Sequence, residues 1–512
     1  MGRGFLYAVA FGTGAAVMAA ELSASRLVAP FFGTSTPVWA LLIGTVLSSM
    51  AIGQLLGGRL AGRAAPGGVG PVRLLSGLLL LAALLLALLP VVGRPVMSGA
   101  MELMRGGSMG TLAASALGVN AVLALPMAAL GAAGPVLLHQ AVLSREETGR
   151  IAGRIYALGT AGSLLGTWGS GLLLIPLLGT RTTLWLCAGG LALLGVVGLL
   201  RGAGRALGAG AVLLLLGLGL ALPQGSIKAR QGAIYEAETV ANYVQVVEDG
   251  DMRALYLNDG YAIQSLYPLD GSLPLFDVWG YYGAAPAWTA SGVPSRVLLL
   301  GLGGGTSARI LRELYPSSEI VGVELDPQVV QAGQRFLGMP TDIQVEIEDA
   351  RAWLTRDTSR YDLILVDAFQ FPYVPFQLCT REFFQALDLH LAPGGAVLLN
   401  VGRDADSYEV VQALAATLAG VFPVVRGVDV RNGSNTVLLG SHHDAQQDAG
   451  LEALGLGGRE LARLRRLTAP SPWVVDPSAP LLSDDRAPVE LLTDMIVLRS
   501  SLRFLGLGQG PV

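Results

Sequence analysis

Arg296-Val-Leu-Leu-Leu-Gly301-Leu-Gly-Gly-Gly305-Thr306 is the stretch on which the reading of this chain turns. An unbroken Val/Leu run suits a strand buried on both faces. The glycines that follow let backbone approach a ligand closely, and Ser307 to Tyr315 then reads as a helix opening at that loop. The pattern repeats downstream. Glu319 to Val323 is a second strand ending in Glu324-Leu325-Asp326. Asp342 to Ile347 is a third, ending at Glu348-Asp349-Ala350. Tyr361 to Val366 is a fourth, ending at Asp367, and Leu391-Ala-Pro-Gly-Gly395 turns into a fifth, Ala396 to Asn400. Strands alternating with helices predict a Rossmann-like parallel sheet covered on both faces. Ligands of such sheets sit at the carboxyl ends of the strands, where Gly301, Glu324, Asp349 and Asp367 all fall. Glu324, about 20 positions beyond the loop, is placed to accept hydrogen bonds from ribose hydroxyls. Asp349 is placed to accept one from an adenine amino group. From spacing alone the ligand is a dinucleotide or S-adenosylmethionine.

Working outward, residues 232–266 alternate apolar and polar, with breaks at Asp249-Gly250-Asp251 and Asn258-Asp259-Gly260. That is hairpin chemistry, and a helical segment follows at about 274–290. After 441 comes a tail with a basic helical run, Gly458 to Leu467, and a Pro/Asp segment from Pro480 to Pro488, placed to serve as a lid.

The other half obeys a different solvent. The 512 residues are 52% hydrophobic and 14% charged, whereas soluble domains carry about 25% charged residues. Seven stretches approach the roughly 20 apolar residues a membrane span needs: 5–22, 38–57, 74–93, 110–138, 152–178, 182–200 and 206–222. The fourth is long and contains Pro126 and Pro135, so a break there, giving seven or eight spans, is the expectation. Phe5 to Ala20 lacks a small-residue cleavage site and reads as a retained helix rather than a signal peptide. Arginines cluster between spans two and three (Arg59, Arg63, Arg73), four and five (Arg145, Arg150), and six and seven (Arg201, Arg205), which puts those loops in the cytoplasm. Glu21, Arg26, Gln54, Asn120 and Arg154 lie in or beside spans; Glu21 is either the centre of a polar pocket or a membrane-edge group paired locally. Gly53/Gly57 and Gly162/Gly166 have the spacing of close helix contacts, within the bundle or in a homo-oligomer. The chain thus divides into a transmembrane helical bundle (1–222), a β-hairpin subdomain (228–290), a Rossmann-like domain (291–440) and a tail (441–512). The partners expected are a lipid bilayer and a small-molecule substrate. A net charge of −4 argues against nucleic acid. Two cysteines in different halves, Cys187 and Cys379, and four histidines without ligand spacing point to neither a disulfide framework nor a metal.

Val297 to Gly305, Val323-Glu-Leu-Asp326, Glu348-Asp349-Ala350, Tyr361 to Asp367 and Leu391 to Gly395 together resemble the spermidine synthase (polyamine aminopropyltransferase) family. Leu257-Asn-Asp-Gly260 with Ile263-Gln264 is similar to that family's N-terminal β-domain. Ser25 to Gly33 and Gly57 to Arg63 resemble its membrane-fused branch. The resemblance covers about 232–440 and implies a class I methyltransferase-like fold. It also implies a donor of S-adenosylmethionine type, usually decarboxylated, used as substrate without a metal, and release of methylthioadenosine. Carried over by position, Glu324 holds the ribose, Asp349 and Ala350 the adenine, and Gly301, Gly303, Gly304 and Gly305 the sulfonium tail, while Gln264, Tyr281, Asp367 and Gln370 line the reacting end.

Three positions depart from the family pattern. Gly304 stands where the family has an Asp that pairs with the donor amine. Asp367-Ala-Phe-Gln370 lacks the second Asp expected three residues on as base for the acceptor. Tyr281 is followed by Tyr282 rather than His or Gln. Attack beside a sulfonium displaces a neutral thioether, so no acid is needed, but an ammonium acceptor needs a base, and Gln370 cannot serve. Loss of a charge at Gly304 suits a donor that keeps its carboxylate. Three readings follow: an alkyl transferase acting on an atypical amine or within the donor itself, a methyltransferase, and a transporter or sensor whose soluble domain only binds a nucleoside. Trp279, Tyr282 and Tyr373 are candidates to exclude water or stack on ligand.

Overall fold

The structure is a computed structural model that describes residues 3–32, 36–63, 69–105, 111–142, 147–200, 230–239, 241–258, 262–290, 292–368, 374–403, 407–431, 434–444, 451–452, 454–468, 474–489 and 492–493. It divides into two compact units, Met1–Ala229 and Arg230–Val512.

The first unit is helical. Among the described residues, five helical stretches are long and apolar enough to cross a membrane. The helices are α1 (Arg3–Phe32), α2 (Thr36–Ala61), α3 (Val69–Arg105), α4 (Thr111–Ala141), α5 (Thr148–Gly169) and α6 (Ile175–Leu200), with a π turn at Ser170–Leu174. The last of the five stretches runs from Thr148 to Leu200, 53 residues, or about 80 Å at 1.5 Å per residue. That is more than twice a hydrocarbon core of about 30 Å. It bends at Gly179, whose φ of 79° and ψ of 165° are open to glycine, so it is long enough for two crossings. The break expected at Pro126 and Pro135 is not there: α4 is one helix through both prolines. The span proposed at 206–222 lies outside the described residues.

Close helix approach has a visible cause. A Cβ on Gly53 or Gly57 of α2 would overlap the carbonyls of Ala128 and Ala132 of α4, and one on Gly162 or Gly166 of α5 would overlap those of Phe11 and Ala15 of α1. Both glycine pairs therefore pack inside this chain. Residue numbers rise together in both contacts, so α1 runs parallel to α5 and α2 to α4. Trp185 of α6 donates to the Ala87 carbonyl of α3 at 3.2 Å, while Gly195 and Gly198 meet Leu80 and Ser76, so α3 and α6 are antiparallel. The six helices alternate in direction. Leu55, Leu125, Leu172 and Leu177 are exposed, as lipid-facing side chains of a bundle would be.

The second unit begins with a four-stranded antiparallel meander, β1 (Ala233–Glu238), β2 (Tyr243–Asp249), β3 (Met252–Leu257) and β4 (Ile263–Pro268). Helix α7 (Val278–Gly283) and a 3₁₀ turn (Ala285–Ala287) occupy the helical segment expected at 274–290. Then come β5 (Arg296–Leu300), α8 (Thr306–Leu314), β6 (Glu319–Glu324), α9 (Pro327–Phe336), β7 (Gln344–Ile347), α10 (Ala350–Leu354), β8 (Tyr361–Val366), α11 (Arg381–Leu389), β9 (Leu391–Gly402), α12 (Glu409–Ala419), β10 (Val424–Asp429), β11 (Asn435–Ser441) and α13 (Gly458–Leu467). Their sheet has the order β10-β11-β9-β8-β5-β6-β7. Strands β5 to β9 are parallel, as expected. β11 lies antiparallel between β9 and β10, so the sheet is mixed rather than wholly parallel; a short connection between β10 and β11 permits only a hairpin. Val297 and Leu299 enter one core and Leu298 and Leu300 the other, which is why β5 is apolar at every position. The chain winds from β5 to β7 on one side and continues through β8 and β9 on the other, leaving a switch point between β5 and β8.

Candidate functional site

Gly301 closes the gap at that switch point. Its φ is +91°, and a Cβ there would lie 2.6 Å from the Asp367 carbonyl carbon and 2.7 Å from Ala368 Cα. The Asp367 N–H donates to the Leu300 carbonyl at 2.8 Å. A side chain at 301 would push the acid out of the crevice.

The remaining loop residues tie the loop to its neighbours. Gly303 (φ +53°) donates its N–H to Glu324 Oε2 at 2.9 Å. Gly304 donates to Ser265 Oγ at 2.7 Å, and Ser265 in turn donates to the Gln264 carbonyl at 2.7 Å. Gly305 (φ +86°) precedes α8 and backs onto Met339. Thr306 and Leu266 exchange hydrogen bonds at 2.8 and 3.0 Å. Strand β4 is thereby stitched to the loop, and Gln264 is carried to its edge. At Gly304 a Cβ would strike Leu337 and sit 2.9 Å from Ser265 Cβ. An aspartate does not fit in the present packing.

Glu324 ends β6 within the crevice. It accepts from Gly303 and, through Oε1, from Asp326 N–H at 3.1 Å. Burial lifts its carboxyl to about 7, against the pull of those two N–H groups. Asp367, at the tip of β8, is also pushed up by burial; the Asn400 amide and the Tyr282 hydroxyl oppose the shift. Asn400 donates to Asp367 Oδ1 at 2.9 Å. Asp349 caps α10 through Oδ1, which accepts from Arg351 and Ala352 at 3.0 and 2.9 Å. Its position after β7 sets it and Ala350 beside Glu324, because Glu348 N–H bonds the Glu324 carbonyl at 3.0 Å.

Tyr281 is placed differently from the expectation. Its hydroxyl donates to the Asp429 carbonyl at 3.2 Å and accepts from Arg431 N–H at 3.2 Å, so it is engaged at the β10–β11 turn. Tyr282 is the tyrosine whose hydroxyl stands beside Asp367. Trp279 is buried in the same core cluster. Gln370 and Tyr373 lie outside the described residues. The tail is docked by Arg351, which grips Asp484 with two hydrogen bonds of 2.8 and 2.5 Å and also bonds the Gln377 carbonyl at 2.9 Å.

Sequence reasoning missed Ser265, Thr306, Asn400 and Asn435. Asn400 carried a readable signal: it is the polar residue in the otherwise apolar run Ala396–Val401. The others announce nothing, because their roles depend on which strand lies beside which.

The strand order, the loop and the acids at the strand tips define the class: a Rossmann-like, class I methyltransferase-like fold with an acidic crevice at its switch point. Comparison with known proteins narrows it. The family model for the spermine/spermidine synthase domain matches residues 286–430. A polyamine aminopropyltransferase of Vibrio vulnificus is 32% identical over 214 residues, 39% of this chain and 70% of that protein. A probable polyamine aminopropyl transferase of Bifidobacterium longum is 34% identical over 286 residues, 50% of this chain and 61% of the relative's own length. Among solved structures, a probable spermidine synthase from Corynebacterium glutamicum aligns over 50% of this chain and 97% of its own, at 20% identity and a TM-score of 0.38. The chain belongs to the polyamine aminopropyltransferase family, the spermine/spermidine synthases.

Proposed function

We propose that this protein is a membrane-anchored transferase that takes S-adenosylmethionine or its decarboxylated form as substrate and releases methylthioadenosine. The observation that carries the reading is the pair of half-buried carboxyls, Glu324 and Asp367, on either side of the Gly301–Gly305 loop. Glu324 has the reach and the acceptor oxygens for ribose hydroxyls. Asp349 and Ala350 lie one strand further along, toward the adenine. Gln264 and the loop amides border the sulfonium tail. Asp367 is the base. In the reacting complex the acceptor nitrogen gives its proton to Asp367, a C–N bond forms at the carbon beside sulfur, and the C–S pair leaves with the neutral thioether. If the donor's own carboxylate or amine attacks instead, the product is cyclic and no second substrate is needed. The packed surroundings of Gly304 and the absence of a second acid in the Asp367–Gln370 segment favour an acceptor less charged than a diamine.

The soluble unit is assigned to the cytoplasm, where the donor is available.

Purified protein incubated with each donor, alone and with amines, is expected to yield methylthioadenosine on a chromatogram. S-adenosylhomocysteine in its place would establish methyl transfer. Tight donor binding without either product would identify a nucleoside-binding sensor or transporter.

A further inference from the structure

The two oxygens of Asp367 are not equivalent. Oδ1 accepts from Asn400 Nδ2 at 2.9 Å. The carbonyl of that same amide, Asn400 Oδ1, accepts from Asn435 Nδ2 at 2.9 Å. Asn435 Oδ1 accepts from Ser434 Oγ at 3.1 Å. Each group donates toward the carboxyl, so the bond from Asn435 holds Asn400 with its NH₂ facing Asp367. Register explains the alignment: Asn435 lies opposite Gly402, two residues beyond Asn400 on the same face of β9. On the other side, Tyr282 is fully buried and its hydroxyl makes no hydrogen bond of normal geometry, although it stands beside the carboxyl. A buried hydroxyl left unpaired costs free energy, which marks this spot as one where a further polar atom belongs.

We propose that Asn400, locked in orientation by Asn435, is a positioning residue that assigns Oδ1 of Asp367 to the protein and leaves Oδ2, with the Tyr282 hydroxyl, to face the reacting amine. The proposal rests on Asp367 being the base. An amide neither takes up nor delivers a proton here; it favours the ionised carboxylate and fixes its rotamer. The attacking nitrogen's proton passes to Oδ2, and the Tyr282 hydroxyl, beside the carboxylate, completes the contacts of the nitrogen. A single carboxylate so held takes over work that the family pattern divides between two. The titratable groups facing Asp367 are Tyr282 of α7 and Asp277, which precedes α7 and raises the Asp367 pKa further through its charge.

The test is the pH profile of kcat/KM for methylthioadenosine release by the full-length enzyme, with whichever of the two donors it turns over. A hydrogen bond to a charged group is worth about one pKa unit or more. Asn400→Leu is therefore expected to move the acid limb up by about one unit, lowering kcat/KM roughly tenfold at pH values below the parent's acid limb and much less on the plateau above it, with donor KM changed less than about twofold. Asn435→Ala, which keeps Asn400 in place but frees it to turn over, is expected to shift the limb the same way by less, and it serves if Asn400→Leu does not fold. Asp367→Asn is expected to abolish turnover while donor binding by calorimetry persists. An unmoved acid limb in both folded variants, with Asp367→Asn inactive, would overturn the positioning role and leave the base intact. Full activity in Asp367→Asn would remove the base and this proposal together.

Discussion

If Glu324 holds the donor's ribose, as proposed, donor binding should release a proton. Glu324's folded pKa of about 7, raised by burial, leaves it about 90% protonated at pH 6 and about 10% at pH 8. Ribose hydroxyls donating to the carboxylate, and a sulfonium cation nearby, both favour the ionised form. If they return it to the model carboxylate value of 4.5, each donor bound at pH 6 expels about 0.9 proton, and each bound at pH 8 about 0.1. Affinity should rise about tenfold between pH 6 and 8 from this group alone. The assay is calorimetry at pH 6 in two buffers of different ionisation enthalpy, with S-adenosylmethionine and its decarboxylated form as titrants. Glu324→Gln separates this proton from any released at Asp367, which burial raises as well; in that variant the buffer-dependent heat should drop by the Glu324 share, and affinity should weaken. The same shift has a consequence for the free protein. A carboxyl whose folded pKa is raised gives its full stability below its unfolded pKa and loses it as pH rises through the folded one. Unliganded protein should therefore lose stability between pH 4.5 and about 7, by about 3 kcal/mol from Glu324, and Glu324→Gln should flatten that loss. Buffer-independent heat at pH 6 in the parent protein would refute the assignment of ribose to Glu324.

Gly301→Ala should cost about 3 kcal/mol or more, since a Cβ meets the Asp367 backbone and the residue sits at φ +91°; denaturant unfolding measures it, and parent-like stability would mean the crevice is not closed by that contact. For topology, a fluorescent-protein fusion after residue 230 should glow and an alkaline-phosphatase fusion there should be inactive. An active phosphatase would place the soluble unit outside the cytoplasm.

The α/β core was legible because its signals are local. Arg296–Leu300 and Tyr361–Val366 are uninterrupted apolar runs closed by Gly301 and Asp367, and both strands end where the sequence says. Gly458–Leu467 is likewise a helix over the span its periodicity marks. What the sequence hid is pairwise. Asn400 meets Asn435 only because β11 enters antiparallel beside β9. Tyr281 and Tyr282 are adjacent and chemically identical, and only the position of the β10–β11 turn decides which hydroxyl is taken. Pro126 and Pro135 looked like a break because proline removes a helical hydrogen bond, yet α4 runs through both, whereas the kink at Gly179 falls in the gap expected between 152–178 and 182–200.

The electrostatics of the crevice bear on the acceptor. Gly304 and Gln370 stand where the resemblance implies acids, and burial raises the pKa of both Glu324 and Asp367. With Glu324 titrating near 7, the unliganded site offers less negative charge near neutral pH than its acid count suggests. On the proposed reading, a sulfonium donor would bring one positive charge and draw Glu324 into ionisation. A diamine would bring two more beside carboxyls whose ionisation burial already disfavours, and burying charge without partners is costly. The site balances better with a substrate whose nucleophile enters neutral or anionic. For that reason product analysis with donor alone should precede any survey of amines: methylthioadenosine formed without an added acceptor would show that the attacking group is carried by the donor.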